Sequence, residues 1–317
     1  MGYKLAGFEH LGGVEIDPKV ADVYKTNHKP KHLFVEDIRA FNEREDLPSE
    51  LYELDILDGS PPCSTFSMAG SREKAWGKEK QFREGQAMQT LDDLVFVYCE
   101  TIAKLKPKVF LLENVKGIIQ GNAKWYSKEI VRRMEANGYK VQVFLLNAAS
   151  MGVPQKRERV FFIGHKKEFE FPRLVLRFDE KAVLFGQVEH CEQRRIINNG
   201  KPSKLKSLWE KRLYGENFSD ISLRTSGKSS NYTTHLVQVF EVFPTVVSST
   251  HYYLEKDCGI ISDSEFCQIG TYPFDYNFKG IEPKYLIGMS VPPVMTAQIA
   301  HQIWLQWLSL IKPINTE

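Results

Sequence analysis

The chain has 317 residues, 42% of them apolar and 26% charged, which excludes a disordered or fibrous protein and leaves room for one large α/β domain with a smaller companion. Its net charge of +2 excludes a uniformly basic nucleic-acid binder, although charge can still be concentrated locally. No apolar run approaches the roughly 18 residues of a membrane span, the opening "MGYKLAGFEH" has no signal-peptide pattern, and five scattered cysteines (Cys63, Cys99, Cys191, Cys258, Cys267) form no metal-ligand spacing, so a cytoplasmic chain with reduced thiols, no membrane partner and no metal is expected.

In chain order, "HLGGVEID" predicts a strand ending at Glu15-Ile16-Asp17, and "PKVADVYKTNH" a helix that Pro18 can open. "HLFVEDI" and "ELDILDG" read as the next two strands. A polar, Gly-dotted segment runs to about residue 86 before "TLDDLVFVYCETIAKLK", whose Leu91, Leu94, Val95, Tyr98, Ile102 and Leu105 recur at helical spacing until Pro107 stops them. "KVFLLENV" is a fourth strand, "KWYSKEIVRRMEANG" a helix closed by Gly138, and "YKVQVFLLN" and "RERVFFIGH" are two further strands. Short, continuously apolar strands alternating with helices predict a mostly parallel sheet covered on both faces. The pattern breaks near residue 168, and short β-like pieces amid Gly, Ser, Asn and charge predict a second unit over 168–255. Residues 256–317 return to the first domain of 1–167 through the helical "VMTAQIAHQIWLQWL".

Three polar groups stand beside strands of this one sheet: Cys63 in "GSPPCSTFS", Glu113-Asn114 closing "VFLLENV", and Gln155, Arg157 and Arg159 entering "RVFFIG". Singly each has an ordinary explanation: a core thiol, a polar strand end, a surface ion pair. Open α/β sheets bind ligands at the carboxyl ends of their strands, and a thiol with an acid and cationic groups there suits addition to an electron-poor ring. Two stretches are basic: Arg194 to Arg212, including Arg195, Lys204 and Lys206, with seven basic residues against Glu210, and Arg72 to Arg83, with five against two acidic. A charge run is usually a solvated face, but it is also the footprint of a phosphate backbone.

The ordered set "PPCSTFS", "LLENVKGI", "QKRERVFFIG" and "YLIGMSVPP" resembles that of the cytosine carbon-5 DNA methyltransferases over residues 1–165 and about 243–304. The resemblance implies a Rossmann-like S-adenosylmethionine-dependent methyltransferase sheet domain with a smaller target-recognition domain. Cys63 would add to carbon-6 of cytosine, activating carbon-5 toward the sulfonium methyl of S-adenosylmethionine. Glu113 would protonate or hydrogen-bond ring nitrogen-3, Arg159 would hold the carbonyl oxygen, and Arg157 would orient Glu113 or bind phosphate. None of these groups can reach a stacked base, so the target would be flipped out of double-stranded DNA.

For the cofactor, the resemblance assigns Glu15 to the ribose hydroxyls, Ile16 to the adenine face, and Asp37 with Ile38 to the adenine amino group and its other face. Pro62, Leu94, Ser290 and Val291 would line the methionine end. Asn114, Gln155, Arg194, Arg195, Lys204 and Lys206 are the expected substrate and DNA contacts. The implied context is a cytoplasmic, nucleoid-associated monomer, the self-protecting half of a restriction system. Alternatives are a tRNA cytosine-5 methyltransferase and a non-catalytic DNA-binding relative.

The sequence departs from the family pattern at Ser64, Gln268, Gly270 and Met289, where Gln, Arg, Gln and Asn are usual. The family's Phe-x-Gly-x-Gly-Gly loop and the strand before it should precede "MGYKLAGFEHLGG". An unpaired gap in the sheet and weak cofactor binding are therefore expected, and a mis-set start, a split gene whose upstream piece supplies the strand, and a degenerate protein are equally open readings of it.

Overall fold

The computed structural model describes residues 1–62, 79–80, 89–90, 93–188, 195–197, 201, 203–228 and 234–311. Short helix α1 (Gly2–Leu5) leads into strand β1 (Gly12–Val14), helix α2 (Pro18–His28), strand β2 (His32–Phe34), helix α3 (Ile38–Glu43) and strand β3 (Ile56–Gly59). Two-residue strands β4 (Glu79–Lys80) and β5 (Gln89–Thr90) precede α4 (Leu94–Leu105), β6 (Val109–Val115), α5 (Lys124–Ala136), β7 (Tyr139–Asn147) and β8 (Glu158–Lys166). Helices α6 (Phe185–Val188), α7 (Lys204–Glu210) and α8 (Phe218–Ser226), strands β9 (Thr234–Val237) and β10 (His251–Leu254), and helices α9 (Asp263–Ile269), α10 (Pro283–Met289) and α11 (Pro293–Gln306) complete the order.

Local chemistry sets these limits. The Asp17 carboxylate accepts from the Lys19 amide at 2.8 Å and Pro18 takes the first helical position, so α2 begins where the sequence places it. Helix α4 ends at Lys106 in the left-handed region, one residue before Pro107.

The main sheet has strand order β3-β6-β8-β7. Only β3 and β6 run parallel within it; β8 is antiparallel to both of its neighbours, so the expected mostly parallel sheet is instead mixed. The reason is the short link of residues 148–157 between β7 and β8, which has no room for the helix a parallel crossover needs. Both faces are buried. Val109, Leu111, Phe161 and Ile163 meet Met295, Ile299, Ile303 and Trp307 from α11 and the turn after it, while Phe110, Leu112, Val160 and Phe162 meet Ile102 of α4 and Ile130 and Met134 of α5. That two-sided burial is why these strands read as continuous apolar runs.

Strands β1 and β2 form a separate parallel pair and are not bonded to β3. Gly12 to Glu15 and Ile56 to Gly59 both line one cavity of about 1620 Å³.

The second core gathers Phe185, Val237, Phe243, Val246, Tyr252 and Leu254 with Ile261, Phe266, Ile269 and Ile287. The cores therefore divide elsewhere than at 168 and 255. Phe171 and Leu174 still pack with the sheet, because the strap of 169–178 lies over α11, and α9 and α10 belong with the small lobe. The chain rejoins the sheet only at α11.

Candidate active site

Glu113 and Asn114 close β6, and the antiparallel course of β8 brings its beginning to that same edge, pairing Val115 with Arg159. There Arg159 Nε meets Glu113 Oε1 at 2.9 Å, the two side chains being 14% and 11% exposed. A charge-assisted bond in so sheltered a place fixes both side chains. At the rim, Lys116 pairs with Glu158 at 2.9 Å.

Strand β3 delivers the chain to the same edge. Its Gly59 is obligatory, since a Cβ there would lie 2.3 Å from the Tyr98 ring, whose hydroxyl donates to the carbonyls of Leu57 and Leu111 at 3.1 and 3.0 Å. Tyr98 thus pins β3 to β6 one turn before Pro61-Pro62. Cys63 follows immediately and lies outside the described residues, as does Arg72 to Lys78 of the neighbouring basic stretch.

The large cavity opens onto this edge. Glu113 and Arg159 line it, and so do Glu15, Ile16, Asp37, Ile38, Pro62, Leu94, Ser290 and Val291. Residues as far apart in the chain as Glu15 and Val291 are thereby brought to one surface. The acids are also tied locally. Glu15 Oε1 accepts from the Asp17 amide at 2.9 Å, and Asp37 caps α3 through the Arg39 amide at 2.8 Å while pairing with the Arg39 guanidinium at 3.2 Å.

Sequence reasoning missed Asp58, which opens into the cavity yet is enclosed by protein around it; that enclosure, with the Glu113 charge nearby, pushes its carboxyl up to about 7. Its position beside a predicted strand end was the available signal. Also missed was the wall Thr245 to Ser248, which no motif marks.

Several expected contacts are placed differently. Gln155 is wholly buried: its Oε1 accepts from the Val246 amide at 3.0 Å and its Nε2 donates to the Ile269 carbonyl at 3.4 Å, so it cannot face DNA here. Asn114 is 2% exposed; its Oδ1 accepts from the Val115 amide and shapes the turn, and its Nδ2 has no partner among the described residues. Arg157, 1% exposed, donates to the carbonyls of Val246 and Gly288 at 3.2 and 3.0 Å and is out of reach of a phosphate. Burial, with Arg159 beside it, lowers its guanidinium to about 9. Arg194 is outside the described residues; Arg195, Lys204 and Lys206 lie on the small lobe, away from the cavity. Of the same basic stretch, Arg212 is used internally, stacking on Trp209 at 4.2 Å and pairing with Glu255.

A mixed sheet sandwiched by helices, with an acid–arginine pair and a large cavity at one edge, is an α/β fold of the kind seen in solved methyltransferases. Solved structures agree: a DNA modification methyltransferase encoded within an E. coli prophage superposes with a TM-score of 0.63 at 18% identity over 96% of this chain and 94% of that one. Spodoptera frugiperda DNMT2 gives 0.57 at 16% over 96% and 95%.

The chain belongs to the family of C-5 cytosine-specific DNA methylases, whose family model matches residues 1–304. Among its relatives, type II methyltransferase M1.HphI of Haemophilus parahaemolyticus is 27% identical over 96% of this chain and 82% of its own length, and M.DdeI of Desulfomicrobium norvegicum 31% over 87% and 66%. M.FnuDI of Fusobacterium nucleatum is 36% identical, over 54% of this chain and 46% of that protein. The matched region thus covers about half of the last of these.

Proposed function

We propose that this chain methylates carbon-5 of a cytosine in a specific sequence of double-stranded DNA, as a monomer on the bacterial chromosome and as the modifying half of a restriction system. The observation that carries the reading is the Glu113–Arg159 pair, held at the strand edge into which Pro61-Pro62 leads and facing the cavity lined by Glu15 and Asp37. Among the described residues no helix is long and apolar enough to cross a membrane, and no group of side chains is arranged to hold a metal.

The residues present fit S-adenosylmethionine. The cavity exceeds the roughly 300–1,000 Å³ of ordinary ligand pockets, and its carboxylates face apolar surfaces from Ile16, Ile38, Leu94 and Val291, as a polar nucleoside with a cationic tail requires. When bound, that cofactor supplies the electrophilic methyl group. Cys63 adds its thiolate to carbon-6 of the flipped base, and Glu113 stabilises the charge developing at nitrogen-3 while Arg159 holds both Glu113 and the base carbonyl. Once carbon-5 has bonded the methyl group, loss of its proton to solvent restores the ring double bond and breaks the carbon-6–sulfur bond, expelling the Cys63 thiolate. The small lobe, with Arg195, Lys204 and Lys206 on its surface, reads and grips the duplex.

The reading as a whole is tested by sequencing methylated cytosines in DNA from cells expressing the protein. One modified sequence is expected, lost with Cys63→Ala, and duplex carrying 5-fluorocytosine at that position should trap the unmutated protein covalently. An active alanine variant would overturn the mechanism.

A further inference from the structure

Residues 155, 157 and 159 alternate along one extended run, so their side chains form a row. The last of the three serves the reacting edge. The first two do something else: they take up both polar groups of a single residue across the seam between the lobes. Gln155 accepts from the Val246 amide, and Arg157 donates to the Val246 carbonyl. Their other arms reach two more points of the small lobe, Ile269 at the end of α9 and Gly288 near the end of α10. The Lys156 amide adds a bond to the Phe243 carbonyl at 2.8 Å.

Gly288 matters for its neighbours. A Cβ there would lie 2.9 Å from the Ser248 amide nitrogen, so the 288 and 246–248 backbones touch directly. Two residues further on, Ser290 and Val291 line the cavity, and Val246 to Ser248, in contact with Gly288, line it as well. Arg157 therefore grips two touching segments of the cavity lining at once. It does so as a buried guanidinium whose Nε has no partner among the described residues. Burying a charge without a full partner set is costly, and a neutral side chain would fill the volume more cheaply if filling were all that was required.

We propose that Arg157 is a positioning residue that locks the small lobe to the cofactor-side wall, so that occupancy of the cofactor cavity strengthens the grip on DNA and the reverse. The inference rests on the function proposed above. Because such coupling is reciprocal, it can be measured from either ligand.

The test has two arms. In the ligand-free protein, hydrogen–deuterium exchange should show Arg157→Lys loosening residues 245–248 and 287–290 together, with Val109–Val115 unchanged; loosening of only one segment, or of neither, overturns the brace. In the second arm, DNA affinity is measured with and without S-adenosylhomocysteine. The unmutated protein should bind DNA about 5-fold or more tightly with it, and the ratio should fall below about twofold in Arg157→Lys and in Gly288→Ala, which pushes the same two backbones apart from the other side. A ratio near one in the unmutated protein, or an undiminished ratio in both variants at unchanged melting temperature, overturns the coupling. Failure to bind either ligand counts against the proposed function instead, and the exchange arm still decides the brace.

Discussion

The β3-β6-β8-β7 sheet and the β1–β2 pair both line one cavity and are built by different means. In the first, β6 is buried along six consecutive residues and sandwiched between two apolar layers. In the second, both strands are three residues long and only half-buried throughout, and the surroundings are polar: His10, Tyr24, His28 and Tyr276 meet edge to edge, and His32 and Lys31 pair with Glu50. The acid and arginine of the reacting edge sit on the rigid side, and the acids expected to hold the nucleoside sit on the lightly tied one. Chemistry and cofactor affinity should therefore fail separately.

The largest effect belongs to the rigid side. Glu113→Gln keeps the size but removes the charge, and methyl transfer should fall by about 10²- to 10⁴-fold, the range for a lost general acid, with cofactor affinity little changed by calorimetry. Glu15→Ala should do the converse, weakening cofactor binding by about tenfold or more, the loss of a charged hydrogen bond of ~1.5–3 kcal/mol, while the rate at saturating cofactor is retained. Should both variants lose affinity and rate alike, the division between the two regions would be wrong.

Stability should divide in the same way. Phe162 is fully buried between β6, β7 and the helical layer, so Phe162→Ala should cost about 3–5 kcal/mol in urea unfolding. Phe34, half-buried against Phe41 and Arg44, should cost about half of that as alanine. Equal losses would mean that β1–β2 is as firmly built as the sheet.

The same contrast decides what could be read from the sequence. The sheet strands and α2, α4 and α5 were legible because burial on both faces or on one stripe leaves an apolar pattern, and Asp17, Pro18 and Pro107 punctuate it. The direction of β8 was not legible, since a buried strand has the same composition whichever way it runs; only the short 148–157 link carries that information. At the site, Glu113, Arg157 and Arg159 were singled out because their motifs are local, but the arginine expected to orient Glu113 was Arg157, and the structure pairs Glu113 with Arg159 instead. Gln155 and Arg157 were misplaced because spacing shows that three side chains share a row but not which of them the far lobe covers. Val246 and Gly288 contribute backbone atoms alone, for which a sequence carries no signal.

The smallest effect arises from two groups with opposite signs, one on each side of the comparison: His28 at the end of α2 beside the β1–β2 pair, and Asp58 in β3 of the sheet. Burial lowers the His28 imidazole to about 4, so between its ordinary 6.5 and that value the unfolded chain binds more protons and stability is lost as pH falls. The Asp58 carboxyl, raised to about 7 by enclosure and by Glu113, has the reverse linkage: the folded chain holds the extra proton between about 4 and 7, and stability is lost as pH rises through that window. The slopes oppose each other in the unmutated protein and should flatten its melting temperature between pH 4.5 and 7. Single variants separate them. His28→Gln should be relatively more stable at pH 4.5 than at pH 8, and Asp58→Asn relatively more stable at pH 8 than at pH 4.5, the second by the smaller amount because Asp58 is open to solvent in the cavity. Hydrogen exchange at pH 4.5 should show the amides of Gly12–Val14 and His32–Phe34 opening first while Val109–Val115 stays closed, since the group that takes up a proton on opening at that pH, His28, lies on the β1–β2 side. Melting differences that do not change with pH in either variant would remove both linkages and leave the contrast resting on packing alone.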